Sequence, residues 1–223
     1  MTDYAAARHN MVESQIRTNK VTDEALIQAL REVPREAFVP KSLKGIAYVD
    51  EDLPVAPGRY LMEPMVLARL IQLAGIGRQD TVLDVGCTTG YSVAVMARLA
   101  ASVVGLEVDH GLAELANATL SQLGVDNGAV VAGALEQGYA KQAPFSVILL
   151  NGAVETVPEA LTDQLAEGGR LVAVIRSQPG LPGGGIGRAT LFVKHAGRVG
   201  GRAVFDCATP LLPGFRRQPG FVF

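Results

Sequence analysis

The chain has 223 residues, 48% of them hydrophobic, and its 20 lysines and arginines against 22 aspartates and glutamates give a formal net charge of −2. That balance excludes the basic field with which a protein gathers nucleic acid, and two cysteines, Cys87 and Cys207, exclude a disulfide framework. No run approaches 18 apolar residues, the first nine residues carry no secretory-type apolar core, and His9, His110 and His195 are too scattered to form a metal site, so a cytoplasmic protein with no membrane span, no nucleic-acid partner and no metal is expected.

In chain order, residues 5–18 and 22–33 read as two helices, the second with a cap region at Thr22-Asp23 before Leu26, Ile27, Leu30 and Val33. Pro34 and Pro40 stop further helix, and residues 47–60 read as irregular, through Tyr48, Asp50-Glu51-Asp52, Pro54, Pro57 and Gly58. Helical periodicity returns from Met65 to Leu73. From Thr81 strand and helix alternate: strand 81–85, helix 90–100, strand 102–107, helix 110–123, strand 129–132, strand 147–150, helix 158–166 ended by Gly168-Gly169, and strand 170–175. Such alternation predicts an α/β fold with a mostly parallel, doubly wound sheet. Pro179–Gly187 reads as a linker, residues 189–194 and 202–205 as an antiparallel hairpin, and Leu211, Leu212 and Phe215 as residues that pack the tail back onto the domain. The division expected is an N-terminal helical extension with a substrate-side loop over 1–60 and a cofactor-binding core over 61–223, together one domain.

The most informative stretch is Thr81-Val-Leu-Asp-Val-Gly-Cys-Thr-Thr-Gly-Tyr91, answered by Val103-Val-Gly-Leu-Glu-Val-Asp109. A buried strand enters a glycine turn and a helix, and the next strand ends in Glu107, 23 positions after Asp84, near the spacing at which a carboxylate meets a ribose. The turn lacks the G-x-G-x-x-G of a dinucleotide site, and Asp84 just before it would repel pyrophosphate. A phosphate-free, cationic nucleoside fits better, and S-adenosylmethionine is one: it has a ribose, an ammonium and a sulfonium. Parallel sheets bind ligands beyond the carboxyl ends of their strands, which is where Asp84, Gly86, Cys87, Thr88, Gly90, Glu107, Gly133 and Asn151 are expected.

The chain resembles the protein-L-isoaspartate O-methyltransferase family over nearly its whole length. The resemblance is carried by Met11-Val-Glu-Ser-Gln-Ile16, Val33-Pro-Arg-Glu-Ala-Phe-Val-Pro40, Ala47-Tyr-Val-Asp50, Leu53-Pro54, Val82-Leu-Asp-Val-Gly86, Gly90-Tyr91, Ala143-Pro-Phe145, Val157-Pro158 and Gly168-Gly-Arg-Leu-Val172. It implies a Rossmann-like methyltransferase fold, S-adenosylmethionine as cofactor, isoaspartyl-containing proteins or peptides as partners, and repair by methyl esterification. It also places a family serine motif, Ile-Ser-Gln-Pro, at Leu61-Met62-Glu63-Pro64, so that Met62 and Glu63 occupy the catalytic position. Thr88 stands where the family carries the middle glycine of its cofactor turn, and Gly133-Ala134-Leu135 where it carries Gly-Asp-Gly beside the adenine.

An isoaspartyl carboxylate, with an ordinary pKa of about 4, is already a nucleophile at neutral pH. A serine at position 62 would position it, and losing that one hydrogen bond to a charged group costs on the order of 1.5–3 kcal/mol. Glu63 is expected to face solvent, to pair with Arg59 or Arg69, or to serve as base for a neutral acceptor, with Tyr60 as a nearby hydroxyl. Two alternatives therefore stand beside repair: another methyl acceptor on the same fold, or a silent cofactor-binding or protein-interaction domain. Oligomeric state has no signature in the sequence.

Overall fold

The computed structural model describes residues 3–176 and 186–216. Asp3 caps the first helix, α1 (Tyr4–Met11), by accepting from the Ala6 N–H at 3.0 Å. The chain then widens into a π turn over Val12–Ile16 and ends at Lys20 in the left-handed region (φ 66°). Asp23 caps α2 (Glu24–Glu32) through the amides of Ala25 and Leu26, and the face bearing Leu26, Ile27 and Leu30 is buried. Proline at the first position starts α3 (Pro64–Ala74), and Gly75 (φ 58°) ends it, the usual asymmetry of helix termini.

Between α2 and α3 the expected irregular segment contains a small antiparallel ribbon, β1 (Leu53–Ala56) with β2 (Arg59–Leu61). Prolines at 54 and 57 hid it, because proline is tolerated at such an edge although it reads as a breaker in sequence. The main sheet has seven strands in the order β5-β4-β3-β6-β7-β8-β9. Its members are β3 (Thr81–Val85), β4 (Ser102–Glu107), β5 (Gly128–Ala132), β6 (Phe145–Val154), β7 (Leu165–Ile175), β8 (Gly187–His195) and β9 (Arg198–Cys207). The first five of these pair in parallel, and β8 and β9 close the sheet antiparallel. α4 (Tyr91–Ala97) and α5 (His110–Gln122) connect the parallel strands as expected.

Several boundaries shift by a few residues, and one change alters an element's kind. The helix expected over 158–166 is only α6 (Glu159–Asp163), and β7 already begins at Leu165, so Gly168-Gly169 lies within the strand. The register of β6 against β7 slips there, between Phe145↔Leu165 and Val147↔Arg170. A Cβ on Gly169 would lie 2.7 Å from the Ala166 carbonyl oxygen, so the glycine serves this bulge and not a helix end. Most of the expected linker, residues 179–185, lies outside the described residues. The tail behaves as expected: Leu212 and Phe215 are buried, and Leu211 bridges to Ala153.

Two apolar layers flank the sheet. One joins Leu26, Leu30, Leu67, Ile71, Val82 and Tyr91, and the other joins Leu83, Val85, Ile148, Leu150, Leu161 and Leu212. Alternate residues of β3 therefore feed opposite layers, as a strand covered on both faces requires. Its two parallel neighbours, β4 and β6, flank it on either side, so the connections from β3 to each leave in opposite directions, and the crevice this creates lies at the carboxyl ends.

Candidate functional site

The turn from β3 into α4 forms the floor of that crevice. Gly86 (φ 83°) and Gly90 (φ 89°) adopt left-handed conformations that favour glycine, and between them Thr88 does so at φ 51° despite its branched side chain. The turn is tied to β4 by hydrogen bonds from the Gly86 and Cys87 amides to the Leu106 carbonyl at 2.7 and 3.4 Å. Cys87 is fully buried, and its Sγ lies 2.7 Å from where a Gly105 Cβ would sit, so it fills space between turn and strand. Burial pushes its thiol well above the ordinary range, which removes it as a nucleophile.

Glu107, at the end of β4, is fully buried and accepts five hydrogen bonds. The amides of Val108 and Asp109 reach Oε1 at 2.9 and 3.2 Å, and the amide of Thr88 reaches Oε2 at 2.9 Å. The other two come from Arg59, Nε to Oε1 at 3.0 Å and Nη2 to Oε2 at 2.7 Å. Nη2 also donates to the Gly86 carbonyl at 2.9 Å. Sequence reading offered Arg59 as a partner for Glu63; the structure gives it to Glu107, because β2 faces the crevice and Arg59 is a buried position in the alternation of that strand.

Asp84 lies one layer deeper. Ser92 Oγ donates to its Oδ2, and Asn151 Nδ2 donates to Oδ1 at 3.2 Å and to Ser92 Oγ at 2.7 Å. Burial raises the Asp84 pKa to about 7, against the lowering effect of these two donors. Asn151 was expected at this edge; Ser92, on the first turn of α4, carried no signal that set it apart in the sequence.

Before α3, Arg35 lies wholly buried, with Nε on the Ala47 carbonyl and Nη2 on the Met62 carbonyl, each at 2.7 Å. The Met62 side chain is 2% exposed and belongs to the core layer. Glu63 stands at the N-terminus of α3, its amide donating to Asp52 Oδ1 at 3.0 Å. Burial, then the carboxylates of Asp52, Asp50 and Glu51, raise its pKa to about 7. Arg69 does not pair with it: that guanidinium stacks 3.6 Å from the Phe205 ring centre.

Of the other expected contacts, the Gly133 amide donates to the Glu107 carbonyl at 2.9 Å, which brings it to the site's edge. Ala134 is exposed beside it, whereas Leu135 turns its side chain into the lower apolar layer. Leu212, expected only to pack the tail back onto the domain, also covers the turn: a Cβ added to Gly86 would lie 2.6 Å from its Cδ2, and one added to Gly152 would lie 2.8 Å from it. A leucine in a Pro- and Gly-rich tail has no local mark of such a role.

The residues present fit an adenosyl cofactor in kind: a left-handed glycine turn, a carboxylate at the end of the next strand, and a second acid beneath the turn. Both oxygens of Glu107 and the Gly86 carbonyl are held by Arg59 in this conformation. Among the described residues no group of three His, Cys, Asp or Glu side chains is placed to hold a metal, and no helix is long and apolar enough to cross a membrane.

Comparison with known proteins agrees with this geometry. The protein-L-isoaspartate(D-aspartate) O-methyltransferase family profile matches residues 6–180. A protein-L-isoaspartate O-methyltransferase of Koribacter versatilis (strain Ellin345) is 39% identical over 209 residues, covering 93% of this chain and 90% of the relative. One from Methylorubrum extorquens (strain PA1) is 41% identical over 182 residues, 82% of this chain and 78% of the relative. Among solved structures, a protein-L-isoaspartate O-methyltransferase superposes with a TM-score of 0.81 at 27% identity, over 93% of this chain and 66% of the other. A further one from Plasmodium falciparum shares the fold, with a TM-score of 0.76 at 19% identity, over 95% of this chain and 99% of the other. The chain belongs to the protein-L-isoaspartate(D-aspartate) O-methyltransferase family.

Proposed function

We propose that this protein methylates isoaspartyl carboxylates of damaged proteins, with S-adenosylmethionine, the methyl donor of its family, bound over the turn 85–90. The observation that carries the reading is the convergence of that turn, Asp84 and Glu107 at the carboxyl edge of the sheet in a chain of this family. When bound, the cofactor supplies an electrophilic methyl group on a sulfonium. Glu107 would hold the ribose, Asp84 with Ser92 and Asn151 would set the charge beneath the turn, and Gly133 and Ala134 would border the adenine.

The acceptor carboxylate needs no base, because it is ionised at neutral pH. One of its oxygens forms the new bond to the methyl carbon as the carbon–sulfur bond breaks, and the electron pair leaves with sulfur. What remains for the protein is alignment, with the reacting atoms about 3–3.5 Å apart. Met62 offers no hydroxyl for this, so the burden falls on backbone groups of the loop that Arg35 fixes. In this reading residues 1–60 form the acceptor side and 61–223 the cofactor side of one domain. An intracellular methyl donor supports a cytoplasmic site of action, and the near-neutral charge supports a protein partner over nucleic acid or membrane.

The test is radiolabelled methyl transfer to an isoaspartyl peptide and to its aspartyl counterpart. Transfer to the isoaspartyl form alone supports repair. Transfer to neither, with the cofactor bound, favours a second reading: another acceptor on the same fold. The acidic group of Asp50, Glu51, Asp52 and Glu63 beside the entrance is the specific feature that favours it, since it disfavours an anion.

A further inference from the structure

We propose that Arg59 is an internal competitor for the cofactor site and thereby a determinant of its affinity, an inference that rests on the cofactor reading above. Its guanidinium holds both oxygens of Glu107 and the carbonyl of Gly86, acceptors suited to the ribose hydroxyls and the ammonium of an adenosyl amino acid. Leu212 closes the same space, with no room above Gly86 or Gly152 for more than a hydrogen. Cofactor entry is therefore an exchange: ribose for guanidinium on Glu107.

The geometry allows that exchange on both sides. Glu107 keeps three backbone donors, from Thr88, Val108 and Asp109, after Arg59 leaves. Arg59, 5% exposed, would be left as an uncompensated buried cation and has to move out. It sits on a three-residue strand in an isolated two-stranded ribbon, with a register irregularity between Pro54 and Ala56. Ribbons of that size are marginal by themselves, and this one shares no strand pairing with the seven-stranded sheet, its anchors in the core being Leu53 and Leu61. The strap carrying Leu212 is held by three backbone hydrogen bonds: Ala153 N–H to Pro210 O, Leu212 N–H to Ala153 O, and Glu155 N–H to Phe215 O. Apparent affinity falls by the fraction of molecules that are open.

Calorimetric titration of S-adenosylhomocysteine into the full chain and its Arg59→Gln and Leu212→Ala variants measures this. Arg59→Gln is expected to bind at least tenfold more tightly than the parent, and Leu212→Ala severalfold more tightly. Equal or weaker binding by Arg59→Gln, with the parent binding, overturns the competitor role and leaves the cofactor reading intact. Binding by none of the three overturns both. Should Arg59→Gln fail to fold, the parent protein still decides: the Arg59 Nε–H resonance, assigned by its loss in Arg59→Lys, is expected to shift or broaden at saturating S-adenosylhomocysteine. An unchanged resonance overturns the exchange.

Discussion

Arg35 Nη2 donates to the carbonyl of Met62 at 2.7 Å, across 27 positions of sequence. The segment Val33–Pro40 thereby supports the backbone that leads into α3. Arg35 also donates from Nε to Ala47, and its Cζ lies 4.9 Å from the Tyr91 ring centre, so a single buried side chain joins the loop after α2, the entry to α3 and the start of α4.

Truncation at this point should be severe. Arg35→Ala leaves the Ala47 and Met62 carbonyls without their donor, at about 1.5–3 kcal/mol for each hydrogen bond to a charged group. The expected loss is about 3–6 kcal/mol in urea unfolding. Arg35→Lys, which can reach only one carbonyl, should lose roughly half of that. A loss under about 1 kcal/mol for the alanine variant would contradict the support role.

Thr88 pays for its place in the turn between β3 and α4. A left-handed conformation costs a residue with a Cβ roughly 1–2 kcal/mol, and glycine returns about 0.5–1 kcal/mol of that through its freer unfolded chain. Thr88→Gly should therefore raise the melting temperature by about 1–4 °C, given about 2–4 °C per kcal/mol for a chain of this size. Calorimetry checks it, and a lowered melting temperature would mean that the buried Thr88 side chain contributes more packing than its backbone costs.

Restoring a serine at position 62 should not act as a simple repair. The Met62 side chain is buried in the core layer, so Met62→Ser removes apolar volume and buries a hydroxyl. Large-to-small changes of this kind cost about 2–5 kcal/mol. Met62→Leu, close in volume, should cost less than about 1.5 kcal/mol. Denaturant midpoints of the two variants give the comparison, and equal stability would place the position-62 side chain outside the core.

Glu63 predicts a pH dependence. Its folded pKa, about 7, lies above its ordinary value because burial and the carboxylates of Asp52, Asp50 and Glu51 disfavour the charge. A raised folded pKa means that the folded state holds the proton more tightly. The associated stability is complete below about pH 4.5 and is lost as pH rises to about 7. Glu63→Gln should match the parent near about pH 4 and gain in relative melting temperature up to about pH 8. A difference that stays flat between those limits would show that Glu63 titrates like an exposed carboxylate.

Much of the architecture was legible because it rests on short-range physics. Apolar strands and periodic helices placed β3, β4, α4 and α5 within a few residues, Asp23 fell within the expected cap region, and Asp84 lay at the expected strand end. The segments misread were those whose conformation depends on a distant partner. The β1–β2 ribbon looked irregular because its prolines mask it, and helix 158–166 was overextended because the bulge at Gly168-Gly169 is imposed by pairing with β6.

The sequence by itself determined the alternation that builds the sheet, the glycine turn and the two acids Asp84 and Glu107 at neighbouring strand ends, since an apolar strand, its turn and the next helix are each encoded by neighbouring residues. Only the tertiary structure decided which groups fill the crevice. Arg59 reaches Glu107 across 48 positions, and Leu212 reaches Gly86 from the far end of the chain. Neither pairing has a local signature: a cation finds a buried carboxylate, and a leucine finds an apolar gap, by three-dimensional proximity alone.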